Sequence, residues 1–377
     1  MHICYLTGEY PPMSHGGIGS FVQTLAKELV KLGHTVSVIG VYKQPSLTLE
    51  NDCGVQVIRV PWCRIPKIGV LINHLRLNQQ IKNLHRNTPI DLVEGQENAF
   101  TFLPGRKPWK KVIRMHGGHQ FFSSELGTKY SKYKCWAEKR SFAIADFYCA
   151  VSNYVKDSTL KLLQKNISVE VIPNPIDTAL FCPEPEIPVE EGLLVFVGTL
   201  CEKKGIRQLI LAMPQIVNAV ENAHLWVIGR DSVDPATGRS YKQTLLDNIK
   251  SEVANKILFI GSKNRDQIPD LLARAVICVY PSHMEAQGIV VLEGMASGKP
   301  VITSKYGPGP ETIQHGFSGL LCDPFKPESI ADEVVKLLLD SKLRSKLGQN
   351  ARDIVISKFS LELLLQKNMS FYQSCLD

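Results

Sequence analysis

Short runs of apolar and β-branched residues alternate along the whole chain with stretches whose apolar positions recur every three or four residues. That alternation predicts parallel sheets with crossover helices. In the first half the strand candidates are 2–7, 35–41, 55–60, 92–94, 112–115 and 147–151. The clearest helix is 18–32, where Phe21, Leu25, Leu29 and Leu32 make one apolar stripe and Gly33 ends the run. The pattern breaks at 173–192, whose five prolines suit a stiff exposed connection. A second alternation follows, with strands at 193–198, 224–228, 257–260, 276–280 and 300–303. The last helix, from Ser360 onward, sets Leu361, Leu364, Leu365, Met369 and Tyr372 on one face and needs a partner surface. The expected organisation is α/β: a doubly wound domain over 1–173, a linker over 174–192, a second doubly wound domain over 193–357, and a helix over 358–377 returning to the first. Ligands bind outside the carboxyl ends of strands in such sheets, so chemistry is expected in a cleft between the domains.

The length of 377 residues fits two cores, and 44% hydrophobic with 21% charged residues is the balance of a globular protein. No apolar run approaches the roughly 20 residues that span a bilayer, and the N-terminus enters a strand without a leader-like region, so a soluble cytoplasmic protein is expected. Ten cysteines stand singly, without the spacing of a zinc site or a disulfide framework, and Cys149 and Cys278 lie inside apolar runs. Charge is uneven: residues 1–180 carry 22 Lys and Arg against 13 acids, and the remainder 21 against 23. A basic first half suits a solvated helical face or an anionic partner such as a membrane or phosphorylated substrate. No aromatic–basic alternation points to nucleic acid.

The most informative segment is YPSHMEAQGIVVLEGMASGKPVI, in which a buried strand ends at Tyr280 and a helix begins near Gln287 or Gly288. The first amides of such a helix, those of Gly288, Ile289 and Val290, form an anion site suited to a diphosphate. Glu285 and Glu293 flank it. A carboxylate is a poor neighbour for phosphate and a good acceptor for a vicinal diol, so Glu293 is read as gripping a ribose and Glu285 a hexose. Taken alone, Glu293 is better explained as a solubilising residue near a helix N-terminus.

The segment resembles the E-x7-E signature of retaining glycosyltransferase family 4, and the resemblance extends over nearly the whole chain. GEYPPMSHGGIGSFVQTLAKELVKLGHTV is similar to the family's glycine-rich loop and first helix, and FVGTLCEKKG to its phosphate-binding turn; VIGRD, ILFIGS and GPGPETIQHGFSGLLCDP stand where the family has related segments. The resemblance implies the GT-B fold, two Rossmann-like domains whose parallel sheets face across a cleft, and a bacterial envelope or exopolysaccharide setting. It implies that Lys204 neutralises the leaving diphosphate and that Gly16 and Gly17 let a backbone loop approach the same phosphate. It further implies that His116, in RMHGGHQFF, donates to the hexose or the reacting carbon, and that the turn at Ile260 and Ser262 meets the base. The chain departs from the family where Thr199 replaces a frequent arginine, for which Arg230 is a candidate substitute, and where Ala286 and Gln287 replace Gly-Phe. His116 with His119 is a weaker alternative as a metal pair, and no Asp-x-Asp pair exists to carry a divalent ion. No cofactor beyond a nucleotide-sugar co-substrate is expected. Asn174 and Asp177 at the hinge, and Glu311 in PGPETI, are second-tier candidates, each also explained by turn or helix-end chemistry.

The resulting expectation is a metal-independent hexosyltransferase that moves a sugar from a UDP-sugar, foremost UDP-glucose, to a sugar or lipid-linked acceptor in polysaccharide biosynthesis. Retention of the anomeric configuration and peripheral membrane contact through the basic first domain accompany it. The alternatives are a GT-B sugar-nucleotide epimerase and a non-catalytic sugar-nucleotide-binding protein.

Overall fold

In the computed structural model, which describes residues 1–13, 16–66, 68–103, 105–234 and 237–377, the β-branched runs form two separate sheets. The first contains β1 (His2–Leu6), β2 (Thr35–Tyr42), β3 (Thr48–Asp52), β4 (Val55–Pro61), β5 (Leu92–Gly95), β6 (Lys110–Met115), β7 (Phe147–Ala150) and β8 (Glu170–Val171), in the order β3-β4-β2-β1-β5-β6-β7-β8. The second contains β9 (Leu193–Val197), β10 (His224–Ile228), β11 (Ile257–Gly261), β12 (Ile277–Tyr280), β13 (Val301–Ser304) and β14 (Leu320–Cys322), in the order β11-β10-β9-β12-β13-β14. Central strands such as β1, β9 and β12 are buried on both faces, which is why they read as continuous apolar runs and not as alternations.

One strand departs from the all-parallel expectation. β3 pairs antiparallel with β4, Thr48 opposite Arg59 and Asp52 opposite Val55, and its residues TLEND carry no apolar pattern that marks a strand. It is an edge strand held by its neighbour: Arg59, fully buried, donates to both oxygens of Glu50 at 3.0 Å and also holds the carbonyls of Tyr10 and Pro11. The Pro11–Pro12 peptide in that loop is cis.

The chain divides into two units, Met1–Pro175 with Leu361–Asp377, and Ile176–Ser360. The proline-rich stretch expected as an exposed linker therefore belongs, from Ile176 on, to the second unit. Ile176 and Phe181 are fully buried, Asp177 accepts from the amides of Ala179 and Leu180, and the Arg352 guanidinium holds the carbonyls of Thr178 and Phe181. Prolines stiffen this segment, and two apolar anchors between them dock it.

The helix Gly17–Lys31 buries Phe21, Leu25 and Leu29 as its stripe requires, whereas Leu32 caps the helix and is exposed. At the other end, the helix Leu361–Leu376 joins the first unit, but its buried face is Leu364, Asn368, Phe371, Tyr372 and Cys375. Leu361, Leu365 and Met369 are only half-buried. The face is rotated from the apolar stripe because its polar members enter a buried network. Arg114 on β6 donates to both oxygens of Glu94 on β5, at 2.8 and 3.1 Å, and to Asn368 Oδ1 at 2.6 Å. Tyr372 Oη donates to Glu94 Oε2 at 2.9 Å and meets Tyr5 Oη at 2.9 Å.

Removing one partner of a fully buried ion pair strands the other charge, which costs about 3–5 kcal/mol. Glu94→Gln is expected to lower unfolding stability by that amount, against about 1–3 kcal/mol for Tyr372→Phe, whose loss is one neutral hydroxyl. Denaturant unfolding of the two variants checks the order; equal losses would show that the charge pair is not the dominant tie.

Candidate functional site

In the second sheet the chain leaves β9 for one side and β12 for the other, so the carboxyl ends of these two neighbours form the topological switch point where ligands of open α/β sheets bind. Beyond β9, a short 3-10 turn, Glu202–Lys204, ends at Gly205, whose φ is +69°. A Cβ on Gly205 would stand 1.8 Å from the carbonyl oxygen of Pro281, just past β12, so only glycine lets the two loops come this close. The approach is continued by side chains. Lys204 Nζ lies 2.5 Å from Glu285 Oε1, and Ser282 Oγ donates to the same oxygen at 2.8 Å. Burial raises the Glu285 pKa, but Lys204 and Lys203 outweigh it and hold the carboxyl below its ordinary range.

Three residues on, Gly288 caps the helix Ile289–Ala296 in the left-handed conformation, φ +84°. The amides of Ile289 and Val290 belong to the first turn, where no carbonyl of the same helix can accept from them. Glu293 is the fifth residue of the helix and is buried. Its environment is opposite to that of Glu285: burial pushes its pKa up to about 7, and Arg265, with Nε 3.8 Å from Glu293 Oε1, offsets this only in part. Arg265 was not among the residues that the pattern of the chain suggested. It begins a 3-10 turn behind the Asn264–Gln267 capping box, and that N-x-x-Q signature just past a strand was the available signal.

Other expected positions are more dispersed. Thr199 follows Gly198 at the end of β9 and is half-buried; Leu200 N donates to Arg230 O, which ties that turn to the end of β10, while the Arg230 side chain is exposed. Ile260 is half-buried in β11, and Ser262 is exposed just past it. Asn174 is buried, Asp177 caps its turn, and Glu311 is exposed in the short helix Gly309–Thr312.

In the first unit the switch point lies between β1 and β5. Of the glycine-rich loop after β1, residues 14 and 15 lie outside the described residues. Gly16 caps the helix that Gly17 begins, and the Gly16 amide donates to Glu9 Oε2 at 3.0 Å. The carboxylate of Glu9 thus takes one amide that the resemblance reserves for a phosphate. His116 follows β6 with its ring 5.4 Å, centroid to centroid, from Phe21. Burial, reinforced by Arg114, lowers its pKa to about 3, so the imidazole is neutral and has one N–H to donate. The turn after it is built on two buried acids. Glu97 lies against the main-chain N–H groups of His116 and Gly117, with burial and then Glu138 pushing its pKa up to about 8. Glu138 accepts from the amides of His119 and Gln120. His119 itself is structural: its Nε2 accepts from the Ser131 amide at 2.8 Å. Among the described residues no three His, Cys, Asp or Glu side chains are grouped to hold a metal ion.

Two α/β units carry charged residues at the switch points of their sheets, the places where ligands of open α/β sheets bind. The family model described as Glycosyltransferase Family 4 matches residues 15–180, and that described as Glycosyl transferases group 1 matches 180–354. The chain belongs to the family 4 type of glycosyltransferases, and it is a glycosyltransferase. Its relatives include the GDP-mannose-dependent alpha-(1-6)-phosphatidylinositol monomannoside mannosyltransferase of Mycobacterium tuberculosis, 29% identical over 393 residues and covering 98% of this chain and 97% of the relative. Solved structures sharing the GT-B fold include sucrose-phosphate synthase from Thermosynechococcus elongatus, with TM-score 0.87 and 20% identity over 99% of this chain and 98% of the other. HepE from Anabaena in complex with UDP and glucose aligns with TM-score 0.80 and 18% identity over 99% of this chain and all of the other.

Two measurements test the electrostatics. Folding raises the Glu293 pKa from 4.5 to about 7, so the stability it favours is fully present below about pH 4.5 and is lost as pH rises through about 7. Glu293→Gln, a mimic of the protonated acid, is expected to match the parent near pH 4.5 and to exceed it by on the order of 3 kcal/mol near pH 8. Thermal unfolding across that range reads the difference, and a pH-independent difference would contradict the assignment. For His116, a ring pKa of about 3 predicts imidazole NMR shifts that stay constant between about pH 8 and pH 5, where an ordinary histidine titrates.

Proposed function

We propose that the protein transfers a hexose from a UDP-sugar, foremost UDP-glucose, to a sugar or lipid-linked acceptor, with retention of the anomeric configuration and without a divalent metal. The observation that carries the reading is the meeting of Lys204 and Glu285 beside the glycine-capped helix Ile289–Ala296. Lys204 and the amides of Gly288, Ile289 and Val290 are assigned to the diphosphate. A compact ammonium and a helix N-terminus both stabilise charge that develops on a leaving phosphate oxygen. A diphosphate competes with Glu285 for the ammonium, and the carboxylate so released accepts hexose hydroxyls. Glu293, poised near neutrality, can hold ribose hydroxyls as acceptor or donor. The turn at Ile260 and Ser262 is assigned to the base, and Thr199 and Arg230 to the periphery of the phosphates.

In the first unit the neutral His116 is assigned to a sugar hydroxyl or the reacting carbon, and the Gly16–Gly17 main chain to the donor phosphate. That last role requires Glu9 to leave the Gly16 amide. No side-chain nucleophile is needed if the departing phosphate oxygen accepts the acceptor's proton. The uridine choice is supported by the neighbour solved with UDP and glucose, while the mannosyltransferase relative, GDP-mannose-dependent, names the competing donor. A lipid-linked or envelope acceptor in the cytoplasm at the membrane's inner face suits the basic first half.

Thermal shifts with UDP, GDP, ADP and their sugars are expected to single out UDP and UDP-glucose; selective stabilisation by a guanine nucleotide would overturn the donor assignment. Lys204→Gln, which keeps a hydrogen-bond donor for Glu285 while removing the charge, is expected to lower kcat by about 100- to 1000-fold without loss of folding. Transfer that survives this change would remove Lys204 from the leaving-group role, and an inverted anomer in the product would remove the retaining mechanism.

A further inference from the structure

Two acids of the first unit, Glu97 after β5 and Glu138 on the helix Lys132–Ile144, are buried and take no part in the roles above. Both lean on one turn, Gly117–Gly118, which joins His116 at the end of β6 to the helix His119–Glu125. A Cβ on Gly118 would stand 3.0 Å from Glu97 Cγ and 3.0 Å from Glu138 Cδ, so both acids press on the same glycine. The helix cannot drift from the loop that carries Glu97: Ser141 Oγ accepts from the Phe100 amide and Thr101 Oγ1 donates to the Ala137 carbonyl, both at 3.0 Å. On its other side the turn faces ligand space. His116 and Gln96, the neighbour of Glu97, line one small cavity with Thr7, just past β1.

The hydrogen bonds of the two acids differ. Glu138 has the donors an anion needs, the amides of His119 and Gln120 and the Gln120 side-chain amide, the last two at 3.1 and 3.0 Å. Glu97 lies against the main-chain N–H groups of His116 and Gly117, yet its Oε1 is buried without a hydrogen-bond partner among the described residues. Nor does any cation among the described residues pair with either acid. The other charged or titratable side chains around the turn are engaged: Arg114 with Glu94, Arg140 with the Thr101 carbonyl, and the His119 ring with the Ser131 amide, while His116 is neutral. Lys132, Lys134 and Lys139 of the same helix are exposed. Two buried carboxyls with no cation between them favour keeping one proton in common. It belongs with Glu97, the acid with the unfilled oxygen, whose pKa burial and then Glu138 push up to about 8.

We infer that Glu97 and Glu138 are positioning residues for His116: holding one proton between them, they clamp the Gly117–Gly118 turn and so set where the imidazole stands. Protonated, Glu97 sits beside the Glu138 anion without repulsion. As pH rises through about 8 a second charge appears next to the first, and the turn that both acids touch is pushed out of place. The consequence for turnover rests on the role proposed above for His116; the clamp itself does not.

Amide NMR of the full chain, labelled at glycine nitrogen and without ligand, tests the clamp across pH. The Gly117 and Gly118 amides are expected to move in one step centred near pH 8, and Glu97→Gln, which imitates the protonated acid, to remove that step. The His116 ring carries no proton in this range, so the step reports the acids. In turnover of UDP-glucose, kcat of the parent is expected to fall through the same pH. Glu138→Gln sets an NH2 against donors that need an acceptor, and its kcat at neutral pH is expected to lie about 10- to 100-fold below the parent's with KM for UDP-glucose unchanged, the size of loss that a misplacement near 1 Å brings. Glycine amides that stay still, a step that survives Glu97→Gln, or a step with no change in kcat would each overturn the inference, as would Glu138→Gln turning over like the parent. Where Glu138→Gln does not fold, the near-isosteric Glu97→Gln decides alone. A parent that shows the step but does not turn over UDP-glucose supports the clamp and fails the donor reading, which keeps the two apart.

Discussion

The close contact of the Gly205 and Pro281 main chains is the constraint from which the second unit's site follows. It exists because β9 and β12 are hydrogen-bonded neighbours whose following chains depart to opposite sides, leaving their ends side by side. Any side chain at 205 would force them apart. With the backbones in contact, Lys204 and Glu285 cannot avoid each other, and Ser282 completes the hydrogen bonding of the carboxylate. Glu285 in turn sits three residues before the left-handed Gly288, so the start of the helix Ile289–Ala296 is indexed to the same corner. A cation, an acceptor and a row of first-turn amides are thus assembled by one backbone approach, and their relative positions need no long-range adjustment.

Within that corner, two glutamates eight positions apart in sequence are driven in opposite directions. Glu285 faces two lysines, and their charge overcomes burial; Glu293 is enclosed on a helix with one guanidinium too distant for a hydrogen bond, and burial wins. The same residue type is therefore an anion in one place and a titrating acid near neutrality in the other. The first unit applies the principle to histidine. Burial disfavours the charged ring of His116, and Arg114, though committed to Glu94, adds a positive charge near it, so a ring that could have been a cation is kept a neutral donor.

The sheets and the main corner were legible because both rest on local sequence. Buried parallel strands appear as apolar runs, Gly33 and Gly288 punctuate helices, and the E-x7-E spacing survives folding because loop and helix are contiguous. What was missed depends on partners distant in sequence. β3 has no apolar signal, since an edge strand needs only main-chain pairing and Arg59 supplies the rest. The final helix turns Asn368 and Tyr372 inward because Arg114 and Glu94 wait there, and no pattern within the helix announces partners some 250 residues earlier. Prolines at 173–192 suggested exposure, but Ile176 and Phe181 decide where the segment docks. Arg230 was the visible candidate for a second cation because it follows a strand. Arg265 is the one set beside Glu293, through a capping box that orients its turn.

The two units handle positive charge differently, and this follows from where the acids are. In the second unit acids and bases are nearly equal in number, and Lys204, Arg207 and Arg265 each find a carboxylate within 4 Å. Their fields are local, and a charged ligand must displace an existing partner to be felt. In the first unit the cations exceed the acids, the stretch between Cys53 and Ile90 contains no acid, and among the described residues its exposed Arg64 and Arg76 make no ion pair. Unpaired surface charges add over distances up to a Debye length, about 8 Å at physiological salt, so the field of this unit reaches outward and weakens with added ions. Short-range pairing favours discrimination among small donors, because each contact must be exchanged for a better one. A summed outward field favours an extended anionic partner, because no single contact has to be replaced for it to bind.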